Sequence, residues 1–420
     1  MKKSVIFIWI CLVFTVLCVF FTTIHMKKNP QNEIAKEVIF WTLQLGTFGE
    51  YLNPIIAEFE KENPDVKIKW IDVPYSEGEK RTLASILSNN PPDLVNLTPD
   101  FSSVLAQKQA LYYIDCTKLK DYNAQIINAL KNNDQCYAVP FYATSAVTYY
   151  NKNLLAKSGF KTPPKTYIDV FSMSQQIKNK TGVYSTMPTL TENDTLLKIL
   201  NKYGINSPDT LTTVCSEYIF NQFKILYQKD LIPKESITQT HREALEKYMS
   251  EQIVFIQSGA NFLNMVKDNA PKVYQVTDIA PQLTGKTGKY DVSIMNLIIP
   301  QRTKHKEEAL KFALYLTNKK NQLEFAKLTT ILPVNNLALE DKYFKEPVSG
   351  DLISKARYIS AMQLKNLENP IRSSRNQKEI ITLLNTSVQE IIINKSDTKA
   401  DTKAVLEKTA KAWSALLQYE

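Results

Sequence analysis

The chain has 420 residues, enough for two or more domain-sized units, and its 44% hydrophobic and 22% charged content is typical of a folded globular protein. The formal net charge is +9, but the lysines are spread among acidic residues along the whole chain. This distribution excludes a dedicated nucleic-acid binder, because such proteins concentrate positive charge on one face or arm.

The pattern of the first 25 residues predicts a membrane-spanning segment. Two lysines precede an apolar run at 5–21, which with its neighbours is long enough to span a bilayer as a helix. The basic end is expected to stay cytoplasmic, so that everything after it lies on the extracytoplasmic (periplasmic) side. No small-x-small cleavage site closes the run, and neither Cys11 nor Cys18 follows a small residue as a lipoprotein cysteine would. We therefore predict an uncleaved signal anchor at 1–25, in preference to a lipid anchor or a removed signal peptide, and a polar tether at 26–36.

Three cysteines follow the anchor. Cys116 and Cys136 flank a polar loop and could pair in an oxidising compartment, although spacing alone does not establish a disulfide. Cys215 would be left single, and we expect it to be buried as a small hydrophobe. Neither a pair of CxxC motifs nor a histidine-rich cluster occurs, so we predict no metal site and no cofactor.

Apolar patterning predicts the order of elements along the chain. Strands are predicted at 38–41, 66–70 and 91–97, with helices between them at 51–60 and 81–87. Strands that alternate with helices indicate an α/β sheet. Farther along the chain, strands are predicted at 139–142, 146–150, 253–256, 273–281 and 294–300, a largely helical stretch at 168–248, and amphipathic helices at 306–317 and 399–417.

The stretch 139–167 reads VPFYATSAVTYYNKNLLAKSGFKTPPKTY and is preceded by the landmarks FWT, FEKENPDVKIKW, NNPPDLVNL, ALYYID and CYAVP. This ordered set resembles family 1 extracellular solute-binding proteins, the receptors of ABC sugar importers, over about residues 37 to 420. The resemblance implies an α/β, two-lobed periplasmic-binding-protein fold with three hinge crossovers. It further implies crossovers near 143–147, 273–278 and 331–335. Lobe I would then comprise 37–144 plus 274–332, and a helix-rich lobe II would comprise 145–273 plus 333–420.

A sugar site needs aromatic faces for the C–H surface of the ring and polar side chains for its hydroxyls, on loops that follow strand ends. In lobe I, Trp41 at the end of the first strand, Gln44 and Asp100 meet these requirements, and Tyr142 and Thr144 lie at the first crossover. Each has a structural alternative: Trp41 suits a core position, Asp100 a helix N-cap, and Tyr142 hinge packing.

In lobe II, Asn261 and Phe262 begin a predicted helix whose backbone N–H groups suit polar oxygens. The family's usual tryptophan is replaced at Asn261, and an aromatic at Leu97 is also missing, so we hypothesise a small or rather polar glycoside. Asn296 lies in a buried-looking run and needs hydrogen-bond partners, whether from a ligand or from the protein. Arg372 and Arg375 fall in the late loop that closes the cleft in the family and could hold hydroxyls or a phosphate, or form a solvated turn.

The resemblance therefore implies a receptor that captures a carbohydrate outside the cytoplasmic membrane, closes by hinge motion and delivers its cargo to an ABC permease. Enzyme motifs such as GxSxG and HExxH do not occur, and we predict that the protein is not an enzyme. Three alternatives stay open at this point: a receptor for glycerol phosphodiesters, an exported glycosidase, and a sugar-sensing accessory protein.

Overall fold

A computed structural model of the chain describes residues 35–132, 135–368, 374, 376–394 and 399–418. The predicted anchor at 1–25, nearly all of the tether, and the candidates Arg372 and Arg375 lie outside the described residues. Within the described ranges, no helix is both long enough and apolar enough to cross a membrane.

Ten strands are described, in chain order β1 Lys36–Leu43, β2 Val66–Val73, β3 Leu94–Leu97, β4 Lys131–Asn132, β5 Gln135–Cys136, β6 Val139–Thr144, β7 Ala146–Asn151, β8 Phe255–Gly259, β9 Thr277–Ala280 and β10 Ser293–Ile298. The helices up to residue 276 are α1 Gly49–Glu62, α2 Tyr75–Leu87, α3 Pro99–Gln107, α4 Ala124–Ala129, α5 Lys152–Lys157, α6 Tyr167–Thr181, α7 Thr195–Asn201, α8 Pro208–Leu211, α9 Val214–Gln228, α10 His241–Met249, α11 Phe262–Asn269 and α12 Pro271–Val276. They are followed by α13 Lys306–Leu316, α14 Lys319–Leu328, α15 Asn336–Leu339, α16 Lys342–Lys345, α17 Leu352–Gln363, α18 Gln377–Ile393 and α19 Lys399–Gln418. Short 3-10 turns lie at Gly46–Phe48, Cys116–Leu119 and Lys234–Ile237.

Two separate sheets organise the chain into two lobes. The sheet of the first lobe has the strand order β2-β1-β3-β10-β6, in which β1 is parallel to β2 and β3 while β10 is antiparallel to β3 and β6. The sheet of the second lobe has the order β8-β7-β9 and is antiparallel throughout. The predicted α/β class and two-lobed fold are confirmed.

The apolar spacing of α1 explains how the first lobe closes over its sheet. Tyr51, Leu52 and Phe59 are buried on one face of this helix, as a 3.6-residue period requires. The ring of Tyr51 stacks on Phe325 with 4.3 Å between the ring centres, and that of Phe59 packs on Phe312 at 4.9 Å. The helix predicted at 51–60 thus joins α1 to α13 and α14 in one continuous core.

The crossings between the lobes differ in part from the predicted positions. The first lies at Ser145, between β6 and β7, inside the predicted range 143–147. The second was predicted at 273–278, and this position is wrong, because β9 pairs with β7 in the second sheet and the chain crosses only before β10. A run of apolar residues predicts a strand but does not reveal which sheet the strand joins.

The third crossing also lies later than the predicted 331–335. Leu332 pairs with Ala143 of the first sheet, and Phe344 is buried in the core of the first lobe. The chain then reaches the second lobe in α17, whose Ala356 packs in the core around β7 and β9. The predicted boundary at residue 333 therefore moves to the segment between α16 and α17.

Five polar side chains, which we call the hinge network, link the crossings: Lys202, Gln282, Asp291, Gln363 and Ser145. The Lys202 ammonium contacts Asp291 Oδ2 at 2.6 Å and donates to Gln282 Oε1 at 3.3 Å. The Gln282 backbone N–H donates to Gln363 Oε1 at 2.7 Å, and Gln363 Nε2 donates to Ser145 Oγ at 2.7 Å. Residues from the first crossing, the second crossing and α17 are thereby held by one connected set of hydrogen bonds.

The disulfide considered for Cys116 and Cys136 is formed, with 5.4 Å between the two Cα atoms. Cys136 is fully buried in the core of the first lobe. Cys215 is free and exposed at the start of α9, so the expectation that it is buried is wrong. Its neighbour Ser216, rather than Cys215, faces the core.

We expect replacement of both Cys116 and Cys136 by serine to lower the free energy of unfolding by about 2 to 3 kcal/mol, because the bond closes a loop in the unfolded chain. The two cysteines are 20 residues apart in sequence. Urea unfolding measures the change, and Cys215→Ser serves as the matched control at an exposed site. A loss below about 1 kcal/mol would contradict this prediction.

Candidate functional site

The carboxyl ends of four strands of the first sheet meet at one edge. Gln44 follows β1, Tyr75 follows β2, and Asp100 follows β3. Since β6 and β3 are both antiparallel to β10, they run in the same direction, and Thr144 ends β6 at this same edge. The chain leaves this edge for the second lobe at Ser145. In open α/β sheets this is the edge at which ligands bind, so the candidate site is the cleft between the edge and the second lobe.

Tyr75 begins α2 at this edge, and 53% of its surface is exposed. Partial burial raises the pKa of its hydroxyl, and the carboxylates of Glu79 and Asp100 in the same lobe raise it further. Two groups of the second lobe also act on it, since Lys198 lowers this pKa and Asp194 raises it. Tyr75 is therefore a partly exposed aromatic residue at the cleft edge of the first sheet.

Two other predicted residues of the first lobe lie partly inside the protein. Trp41 is half-buried within β1 rather than at its end, and its indole N–H is shielded from solvent without a hydrogen-bond partner. Tyr142 is half-buried in β6, packs on Phe141 and Phe325, and has its pKa raised by burial and by Tyr75. Tyr142 therefore packs against the core of the first lobe, two residues before β6 ends at the cleft edge.

The polar candidates of the first lobe differ in exposure. Gln44 and Thr144 are exposed at the sheet edge. Asp100 is exposed in the first turn of α3, but the N-cap position belongs to Thr98, so the alternative role of Asp100 as an N-cap is wrong. Asn296 is fully buried and donates from Nδ2 to Ser102 Oγ at 2.9 Å. Its side chain is enclosed by the protein, which corrects its placement among the ligand contacts.

A network around Asp72 holds the loop that carries Gln44. Asp72 Oδ1 accepts from Thr42 Oγ1 at 2.6 Å and from the Leu45 backbone N–H at 2.8 Å, while Oδ2 accepts from Gly46 N–H at 2.9 Å. Gln44 itself has a φ of 55°, so the chain turns sharply directly after β1. The carboxylate therefore fixes the backbone at the sheet edge.

In the second lobe, Asn261 and Phe262 lie at the start of α11, next to the end of β8 that pairs with Ala146. Asn261 is exposed, whereas Phe262 is half-buried and packs on the ring of His241 with 5.2 Å between centres. His241 Nε2 lies 3.1 Å from the Gln257 carbonyl oxygen. Because a carbonyl only accepts, Nε2 carries the hydrogen. Phe262 is thus held against the second lobe beside the first crossing.

The segment 189–195, which we call the mouth loop, forms the facing wall of the second lobe. Asn385 of α18 donates to the carbonyl oxygens of Thr191 and Asn193, each at 3.1 Å. Glu192 Oε2 accepts from the His241 backbone N–H at 2.8 Å. These bonds fix the loop backbone, and Asp194 pairs with Lys198 of α7 at 3.1 Å.

The lobes also touch through an ion pair between Lys378 of α18 and Glu79 of α2, at 2.9 Å. The Lys378 side chain is 84% exposed and that of Glu79 is 37% exposed, so this contact contributes at most about 1 kcal/mol. It shows that α2, which carries Tyr75, approaches the second lobe closely.

Sequence reasoning missed Tyr75, the mouth loop and Lys198. A signal for Tyr75 was available, because Pro74-Tyr75 directly follows a parallel strand, where cleft residues are found. The mouth loop carries no comparable pattern. The position of the mouth loop depends on the packing of α7, α10 and α18 around it. The spacing of residues along the chain does not predict this packing.

The sequence profile of the family described as bacterial extracellular solute-binding protein matches residues 45–323. A multiple sugar-binding protein from Streptococcus mutans serotype c is 24% identical over 360 residues, which is 76% of this chain and 84% of that protein. An arabinooligosaccharide-binding protein from Halalkalibacterium halodurans is 23% identical over 322 residues, or 71% of each chain.

Solved structures agree with the two-lobed architecture. A protein from Synechococcus sp. MITs9220, provisionally described as an oligosaccharide periplasmic-binding protein, superposes with a TM-score of 0.80 at 27% identity. The superposition covers 90% of this chain and 100% of that chain. The sugar-binding protein MalE from Xanthomonas citri gives a TM-score of 0.74 at 19% identity, with 91% and 98% covered. Because its sequence identity is only 19%, the similarity to MalE shows a shared fold and nothing about function.

Proposed function

Because this chain belongs to the bacterial extracellular solute-binding protein family, we propose that it captures a sugar or small glycoside between its lobes and delivers it to an ABC importer. The observation that carries the proposal is that Tyr75 and Asp100 lie at the cleft edge of the first sheet, while the second lobe carries Asp194 beside Lys198, at 3.1 Å, in and after the mouth loop. An aromatic face suits the C–H surface of a sugar ring, while carboxylates accept hydrogen bonds from hydroxyls and an ammonium donates to them.

Capture would proceed by hinge closure. A ligand that contacts both lobes binds the closed form more tightly than the open form and shifts the equilibrium between them. Tyr75 and Asp100 move with the first lobe and the mouth loop with the second, so a bound sugar would bridge the two bodies that the three crossings join. The closed form would then dock on the permease of the importer.

We also propose that the protein works at the outer face of the cytoplasmic membrane, held there by the apolar segment within residues 1–25. The family description as extracellular supports the compartment. The basic residues before the apolar run support the orientation of the anchor. Relatives and structural neighbours are binding proteins, which supports capture without chemical change of the ligand.

A thermal-shift screen of the full chain against mono-, di- and trisaccharides and glycerol phosphodiesters tests the proposal. A ligand that binds only the folded protein raises Tm with its saturation. We expect a rise with at least one sugar and recovery of that sugar unchanged. Hydrolysis of the sugar, or a rise with phosphodiesters alone, would contradict sugar capture.

We expect Tyr75→Ala to weaken binding of that sugar about tenfold, because a stacked aromatic ring contributes roughly 1 to 1.5 kcal/mol. Tyr75→Phe should retain most of the affinity if the ring face is the main contact. Tyr218→Ala is the matched control, since Tyr218 is a similarly exposed tyrosine on α9 of the second lobe. Calorimetric titration gives the dissociation constants, and equal affinities of Tyr75→Ala and wild type would exclude Tyr75 from the site.

A further inference from the structure

The second lobe contains a cavity of about 340 Å³ between its helices and the end of its sheet. The apolar interior of this lobe is divided into three separate clusters, and the cavity lies where they meet. Phe223 of the first cluster, Ile256 of the second and Leu283 of the third all line it, and each is at most 3% exposed. The floor of the cavity is therefore apolar and sealed from solvent by the surrounding core.

The rim of the cavity is polar and belongs to the mouth loop. Glu192, Asn193, Asp194 and Thr195 line one side, and His241 lines another. Asn385 of α18 bonds to the mouth loop, and Lys378 of the same helix contacts Glu79 of the first lobe at 2.9 Å, so the rim lies on the side of the second lobe that faces the first. The hydrogen bonds from Asn385 and His241 hold this rim in place. The cavity thus combines a fixed polar rim on the cleft with an apolar interior behind it.

The size and lining decide what such a cavity can accept. A dry apolar cavity of about 150 Å³ holds one benzene molecule, so this cavity has room for a substituted aromatic ring or a short alkyl chain. A second sugar ring would bring hydroxyls against Phe223, Ile256 and Leu283, whose side chains form no hydrogen bonds, and each unpaired polar group is costly to bury.

We infer that the ligand is a glycoside with an apolar aglycone, whose sugar lies in the cleft and whose aglycone enters the cavity behind the mouth loop. This inference rests on the proposed sugar capture and adds the chemical class of the cargo. The rim contacts the first polar atoms of the glycoside, and Phe223, Ile256 and Leu283 surround the apolar part.

Titration of the full chain with methyl, phenyl and 4-nitrophenyl glycosides of glucose, galactose, arabinose and maltose, in both anomeric forms, tests the inference on the wild type alone. For the sugar that binds, we expect the phenyl and 4-nitrophenyl forms to bind at least about tenfold more tightly than the methyl form, because an aromatic ring leaves water. Equal affinities of methyl and aryl forms would overturn the aglycone inference while leaving sugar capture intact. Absence of binding by every glycoside would overturn both.

A filled cavity gives an independent test. Ala244 lines the cavity from α10 and is 1% exposed, so Ala244→Leu places a larger side chain inside it. We expect this variant to bind the methyl glycoside as the wild type does and to lose the preference for aryl forms. Ala57→Leu adds the same atoms at an exposed site of the first lobe and should keep that preference. An unchanged aryl preference in Ala244→Leu would overturn the inference.

Where Ala244→Leu fails to fold, Phe223→Leu tests the same cavity by enlarging it. We expect it to improve binding of a naphthyl glycoside about threefold or more relative to the phenyl form, since added apolar volume admits a second ring. No relative gain for the naphthyl form would count against the cavity as the aglycone site.

Discussion

Replacing Gln363 with alanine is expected to lower the free energy of unfolding by about 3 to 5 kcal/mol and to loosen the connection between the lobes. Gln363 is 2% exposed at the end of α17. Its Nε2 donates to Ser145 Oγ at 2.7 Å and to the Ala146 carbonyl at 2.9 Å, and its Oε1 accepts from the Gln282 backbone N–H at 2.7 Å. The substitution removes three hydrogen bonds and leaves the Gln282 N–H without its acceptor, and an unsatisfied buried group costs about 1 to 3 kcal/mol beyond the bonds themselves.

Urea unfolding measures the stability change, and hydrogen–deuterium exchange reports on the hinge itself. The Gln282 amide should exchange faster in Gln363→Ala, because it loses its acceptor. Gln301→Ala is the control, since Gln301 is exposed and the substitution keeps the 2.8 Å bond from its backbone N–H to the Ala110 carbonyl. Unchanged exchange at Gln282, or equal stability of the two variants, would show that Gln363 does not hold the crossings.

Replacing Asp291 with alanine is expected to lower the free energy of unfolding by about 3 to 4 kcal/mol, because it leaves the Lys202 ammonium buried without its carboxylate. The Lys202 side chain is 2% exposed and that of Asp291 is 18% exposed, with 2.6 Å between Nζ and Oδ2. Gln282 Oε1 also contacts Lys202, but a neutral amide does not replace the lost charge.

A double substitution separates the charge effect from lost packing. In Lys202→Met with Asp291→Leu no buried charge remains, so we expect stability to recover by more than half of the loss in Asp291→Ala. Asp268→Ala, at an exposed position of α11, is the matched control. A double variant as unstable as Asp291→Ala, or a loss below about 1 kcal/mol in Asp291→Ala, would contradict this account.

Gln363 and Asp291 belong to the same hinge network. The hinge network ties the second crossing to α7 through Lys202 and to α17 through Gln363. Gly285 lets this segment pack closely, since a Cβ there would lie 2.4 Å from the Lys202 carbonyl oxygen. A crossing held in this way transmits closure as a rotation of whole lobes, because its own backbone has little freedom to rearrange.

Local patterns in the amino-acid sequence predict the elements and much of their order. The spacing of Leu52 and Phe59 predicts the buried face of α1, and the β-prone runs on either side of Ser145 predict two strands with a crossing between them. Such elements can be predicted because burial of one face spaces the apolar residues every 2 residues in a strand and every 3.6 in a helix. The family resemblance, carried by ordered short motifs, supplied the two lobes and the cleft.

Tertiary packing determines which sheet each strand joins and which residues meet across the cleft. The apolar pattern of β9 predicts that it is buried but not that its neighbour is β7 of the second lobe. The sequence does not show that Ser102 lies beside Asn296 and binds its side chain. Glu79 and Lys378 come within 2.9 Å only because α2 and α18 of the two lobes face each other. The spacing of apolar residues predicts which face of a helix or strand is buried. Which element packs against that face depends on the fold of the whole chain.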